Sequence, residues 1–218
     1  MTRLRVWDLP TRLFHWLLVA AVIGLVVTGN LGGAWMNWHF RLGHAVLALL
    51  LFRLLWGVVG GYWSRFVQFT YSPLTLWRYL RGQSRPEHEL GHSPSAALSV
   101  FVLLLILLLQ LASGLLSDDE IAFSGPLSRF APAEWVSLAT AYHAEWGKIL
   151  LIAWVVLHLL AIIYYKLVRK IPLVAAMFTG DKATDLEQPA SQDGLPQRLL
   201  ALALAMVCAA VAAWVASL

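Results

Sequence analysis

The stretch HAEWGKILLIAWVVLHLLAIIYYK, residues 143–166, decides the fold. Its apolar part, 144–165, meets the length for crossing ~30 Å of hydrocarbon, which takes about 20 residues at 1.5 Å of rise each. Two histidines mark it, His143 at its outer edge and His158 toward its end. An ionisable side chain inside a span is costly enough to be a functional-site hypothesis by default. The two lie about 22 Å apart along a straight helix and roughly 60° apart in azimuth, so both can face one bundle interior.

Four further stretches have the same character: 12–31, 41–60, 95–117 and 197–217. The composition agrees, with 60% hydrophobic and 13% charged residues in a chain of 218. A soluble domain averages about a quarter charged and just under half apolar, so this is a membrane-class chain. Eleven tryptophans and six tyrosines suit interfacial belts. The single Cys208 excludes an internal disulfide and any multi-cysteine metal or iron–sulfur site. Formal charge is only +4 and no long Lys/Arg run exists, which argues against nucleic-acid binding. The first apolar run is too long for a signal peptide and is read as a retained span, with Asp8 capping it and Pro10 in its first turn.

The basic residues orient the spans. Twelve arginines and lysines precede the first span or fall between spans two and three and spans four and five, against only Arg41 and Arg129 in the opposite loops. The N-terminus is therefore expected in the cytoplasm and the C-terminus outside, in the periplasm. Residues 73–82 read as a short interfacial helix, with Leu76, Trp77 and Leu80 set against Arg78 and Arg81. Residues 181–196 read as a flexible cytoplasmic linker, and 197–218 as an additional histidine-free transmembrane helix.

With that orientation, depth pairs the histidines. His44 opens the second span and matches His143 on the outer side; His15 opens the first and matches His158 on the inner side. Two imidazoles per level are too few for a protein-ligated zinc site. They complete a haem iron, whose macrocycle supplies four ligands, and imidazole suits that iron. Of the remaining histidines, His39 is expected on a different face from His44, with a surface role. His88 and His92 have i, i+4 spacing, but prolines and a glycine around them make a helical metal site a poor reading. Small residues give a macrocycle room; Gly147, one turn after His143, is the best placed. Arg53, deep in the second span, needs an anion, for which a haem propionate would serve, or a path by which to snorkel to water. Glu145 and Lys148 can pair with each other.

Residues 5–16, RVWDLPTRLFHW, resemble the opening of the bacterial cytochrome b561 family, which includes the b-type cytochrome subunits of nickel–iron hydrogenases. Residues 41–44 (RLGH), residues 52–57 (FRLLWG) and the pair His143 and His158 look like the family's later marks. The resemblance covers about residues 1–180. It implies an all-α membrane protein with a four-helix transmembrane core binding two haem b, whose iron ligands map onto His15, His44, His143 and His158. The fifth span departs from a four-span member. The function so implied is inner-membrane electron transfer between quinone or quinol and a periplasmic partner, either a c-type cytochrome or a hydrogenase. The acidic outer loop (Asp118, Asp119, Glu120, Glu134) suits a basic partner. Two rival functions remain at this point. A superoxide:quinone oxidoreductase would need a cationic surface near the outer haem; a haem-free membrane anchor would show no reducible b-type bands.

Overall fold

A computed structural model describes residues 2–218. In chain order its main elements are β1 (Thr2–Arg5), α1 (Leu9–Leu31), α2 (Met36–Val59), α3 (Pro73–Leu80), α4 (Pro94–Leu116), α5 (Ala133–Ala141), α6 (Lys148–Leu167), α7 (Leu173–Thr179), β2 (Asp181–Thr184) and α8 (Leu195–Ala216). A π-helical turn, Tyr142–Gly147, joins α5 to α6. Among the described residues five helices are long and apolar enough to cross a membrane: Leu9–Leu31, Gly33–Val59, Pro94–Leu116, Ala133–Leu167 and Leu195–Ala216. These are the five stretches that the sequence singles out. The fourth is longer than expected because α5 and the π turn extend it toward the N-terminus. The chain forms two compact units.

The first unit takes the chain up to Phe14, Arg53–Val102 and Leu157–Ala203. It departs from the all-α expectation in one place: β1 and β2 pair antiparallel, with Thr2 opposite Thr184 and Arg5 opposite Asp181. The stretch expected to be a flexible linker is instead woven into this corner. Ser191 donates its amide to Arg5 O and its hydroxyl to Val6 O, both at 2.7 Å. Trp63 Nε1 donates to Pro189 O at 2.9 Å. Asp193 takes Arg5 at 2.7 Å, Arg198 at 3.2 Å and the amide of Leu9 at 3.1 Å. Polar composition suggests a loop, but Asp181, Pro189, Ser191 and Asp193 are bonded to the N-terminal strand or its neighbours. Val6, Trp7, Trp63, Leu90 and Ala176 form the apolar core beneath it.

Asp8, wholly buried, caps α1 as expected, accepting the Thr11 amide at 2.8 Å. Its carboxylate also accepts Ser64 Oγ at 2.6 Å, the Gly61 amide at 3.2 Å and Trp56 Nε1 at 3.2 Å. A Cβ at Gly61 would come within 2.5 Å of Asp8 Oδ2, so only glycine lets that amide approach. Arg53 belongs to the same cluster. It is 4% exposed, donates to Ser64 O at 3.1 Å and lies 4.5 Å over the Phe66 ring. Snorkelling to water is thus corrected: a carbonyl and an aromatic face take the guanidinium. α3 forms as expected, capped by Ser72, with Leu74, Trp77 and Leu80 exposed and the Arg81 guanidinium 3.9 Å over Trp77.

The second unit comprises His15–Phe52, Leu103–Val156 and Leu204–Leu218. Its acidic loop is a tight turn rather than a loose one. Asp119 Oδ1 accepts the amides of Ile121, Ala122 and Phe123 at 2.8–3.0 Å, which holds the Asp119 carboxyl below the usual carboxylate range.

Candidate functional site

A cavity of about 300 Å³ lies within the second unit, walled mostly by apolar side chains of α1, α2, α4 and α6. Three imidazoles line it: His39, His44 and His143. The ring that packs against His143 is that of His39, with centres 6.0 Å apart and planes at 88°. His39 is therefore not the surface residue expected from the sequence. His44 lines the same cavity with a buried Nε2 that has no hydrogen-bond partner.

The two rings are seated alike. His39 Nδ1 donates to Leu25 O at 3.1 Å, with Thr28 Oγ1 at 3.4 Å, and its ring packs on Gly29. His143 Nδ1 donates to Gln110 O at 2.8 Å, with Ser113 Oγ at 3.4 Å, and its ring packs on Gly114. In each case the carbonyl lies four residues before a glycine. A side chain at that glycine would cover the carbonyl, and its absence lets the imidazole in. A Cβ would come 3.0 Å from His39 Cε1 at Gly29 and 2.7 Å from His143 Cε1 at Gly114. Hydrogen bonds through both Nδ1 atoms fix the tautomer in which Nε2 is the unprotonated nitrogen, able to bind a metal.

These residues fit a haem iron. Two nitrogens bound to one metal at about 2 Å, each roughly 1.1 Å from its ring centre and in line with it, put the centres about 6 Å apart, a spacing that the 6.0 Å between these rings allows. Among the described residues no three His, Cys, Asp or Glu side chains gather as a metal site, so a macrocycle would have to supply the remaining ligands. Gly43 borders the cavity, and a Cβ there would meet nothing within 4 Å.

Gly147 does not line this cavity; a Cβ there would strike the Gln110 side chain and Tyr142. Its expected place beside the cofactor is corrected accordingly. The cause is the π turn, which inserts about one residue and breaks the count of 100° per residue at His143. Of the other expected ligands, His15 lies in the second unit, its ring edge-on to Trp16 at 4.9 Å, and His158 is a partly buried residue of the first. No helix joins His88 to His92. His88 Nδ1 accepts the Arg85 amide at 3.2 Å, while the His92 ring lies against Phe69 at 4.3 Å and Trp7 at 4.7 Å. Burial, with Arg53 and Lys182 nearby, pushes His92 down to about 3. The sequence reading missed His39, although a hydroxyl residue followed by glycine in two separate spans, Thr28-Gly29 and Ser113-Gly114, marks both seats.

The profile of the prokaryotic cytochrome b561 family matches residues 6–180. The chain belongs to that family. It is a membrane cytochrome by that membership, which implies haem b and electron transfer. Among its relatives is the probable Ni/Fe-hydrogenase 1 B-type cytochrome subunit of Escherichia coli K12, 26% identical over 161 residues, covering 60% of this chain. The chain spans 66% of that relative's length. The probable Ni/Fe-hydrogenase B-type cytochrome subunit of Bradyrhizobium diazoefficiens is 24% identical over 213 residues, covering 81% of this chain and 85% of its own. No solved structure matches.

Proposed function

We propose that this cytochrome b561 family member is an inner-membrane dihaem carrier that moves electrons between the quinone pool and a periplasmic partner. What carries the reading is the pair of imidazoles, His39 and His143, with ring centres 6.0 Å apart in an apolar cavity and both Nδ1 atoms tied to helix carbonyls. His39 takes the outer-ligand place that the sequence assigned to His44. The sequence expectation of a second haem at His15 and His158 rests on charge-counted depth and on the family resemblance alone.

When bound, haem supplies one-electron redox chemistry at its iron. The protein's own residues do the rest. Nε2 of His39 and of His143 would hold the iron. Leu25 O and Gln110 O fix the two ring orientations. The apolar wall keeps water away, so that little surroundings have to reorganise when charge changes.

The names of the relatives favour a nickel–iron hydrogenase as the periplasmic partner. A basic c-type cytochrome is the alternative suited to the acidic turn at Asp118–Glu120. The test is stopped-flow reduction of the purified protein by quinol, by hydrogenase with hydrogen, by reduced c-type cytochrome and by superoxide. Fast reduction by quinol or hydrogenase is expected. Fast reduction by superoxide alone would establish the oxidoreductase reading instead, and absence of reducible b-type bands would end the haem reading.

A further inference from the structure

We propose that Gln110 is a positioning residue that grips His143 at both ends, and so sets the orientation and hold of this imidazole on the haem iron. The proposal rests on the reading of His143 as a haem ligand.

Gln110, on α4, uses its main chain for the ring and its side chain for the backbone. Its carbonyl accepts His143 Nδ1 at 2.8 Å, and its Nε2 donates to His143 O at 2.9 Å. The second bond ties the π turn to α4. His143 sits in the π turn Tyr142–Gly147, where the regular ladder is interrupted and the Lys148 amide donates to Glu145 O. In an apolar span, where polar groups are satisfied only within the protein, the Gln110 amide adds a donor from a second helix to the His143 carbonyl. π turns recur at functional sites; here the turn rotates His143 toward the cavity while Gln110 holds it there.

Gly147 completes the grip. A Cβ at that position would stand 2.0 Å from Gln110 Oε1 and 2.8 Å from Tyr142 Cε1, so the amide reaches His143 only across a bare backbone. Among the described residues no side chain grips the His39 main chain in the same way; His39 sits in the first turn of α2. One ligand is thus gripped at ring and backbone and the other at the ring alone.

The experiment uses full-length holoprotein in nanodiscs. Gln110→Met keeps the length and apolar bulk of the side chain and removes the donor; Gly147→Ala keeps the amide and displaces it. Two readouts follow the outer haem: its low-spin electron paramagnetic resonance signal and the rate of haem loss to excess apomyoglobin. The other haem in the same molecule is the internal control. Loss of a partner that orients a metal ligand weakens binding by about 10–100-fold, so outer-haem loss is expected to quicken by about tenfold, with a shifted signal and an unchanged second haem. Should Gln110→Met fail to accumulate, Gly147→Ala reads the same defect. Loss rates within about twofold of the parent and an unshifted signal would overturn the proposal, since they fall outside that 10–100-fold range. His143→Ala separates the two levels. If that variant keeps both haems, the ligand reading itself fails; if it loses one while Gln110→Met changes nothing, only the role of Gln110 fails.

Discussion

Replacing Gly114 with alanine puts two opposed effects into one helix. An alanine in a helix interior is favoured over glycine by about 1 kcal/mol, so α4 itself gains. The new methyl, however, would lie 2.7 Å from His143 Cε1, 3.0 Å from Nδ1 and 3.4 Å from Nε2. These are three atoms of one rigid ring, which cannot retreat without giving up its 2.8 Å bond to Gln110 O. A displaced ligand of this kind loses about 10–100-fold in affinity, or ~1.4–2.7 kcal/mol. Gly24→Ala is the matched control. Its Cβ also falls 2.7 Å from a neighbour, but that neighbour is Leu42 Cδ1, the tip of a flexible chain, with the next atoms at 3.8 and 3.9 Å. Haem per chain, measured as the pyridine haemochrome, should fall in Gly114→Ala and hold in Gly24→Ala, while helical content holds in both. A Gly114→Ala protein with the parent's haem content and absorption spectrum would refute the seating of His143 on that glycine.

The first unit offers two further tests. His92 is pushed down to about 3 in the folded chain from an ordinary 6.5, so below pH 6.5 the unfolded chain takes up a proton that the folded one refuses. Stability from this residue is complete above pH 6.5 and is lost as pH falls toward 3, by up to ~1.4 kcal/mol per pH unit. Melting followed from pH 7 to pH 4 should show a shallower fall in His92→Phe than in the parent, and parallel curves would contradict the assignment. Asp193→Ala removes the acceptor shared by Arg5, Arg198 and the Leu9 amide, at a cost of about 1–3 kcal/mol. Limited proteolysis should then cut within residues 185–194, where the parent resists; equal cutting of both proteins would restore the flexible-linker reading.

Some of this was legible in one dimension and some was not. A span is a run of about 20 apolar residues, so all five could be read without knowing any neighbour. The Asp8 cap could be read too, because its partner Thr11 lies three residues away. His39 and His44 are a different problem. Both begin the same helix, about 140° apart in azimuth, and which of them meets His143 depends on the rotation of that helix. That rotation is fixed by a carbonyl and a glycine on another span. The π turn at His143 carries no periodicity of its own, and the azimuth counted through it was wrong for Gly147. Arg53 is expected to need an anion or a path to water, but the group that accepts from it, Ser64 O, comes from a short turn that no acidic residue announces. The strand pair of the first unit joins residues roughly 180 positions apart in a polar stretch, where neither hydrophobic pattern nor turn chemistry points across the chain.

The claim at the centre is that His39 and His143 hold one haem between them. The most direct measurement is haem per chain, with reduced-minus-oxidised spectra, in His39→Ala, His44→Ala and His143→Ala proteins purified side by side. The account predicts that His39→Ala and His143→Ala each lose the same haem, with identical difference spectra, and that His44→Ala keeps both. Loss of that haem in His44→Ala, with both retained in His39→Ala, would contradict it.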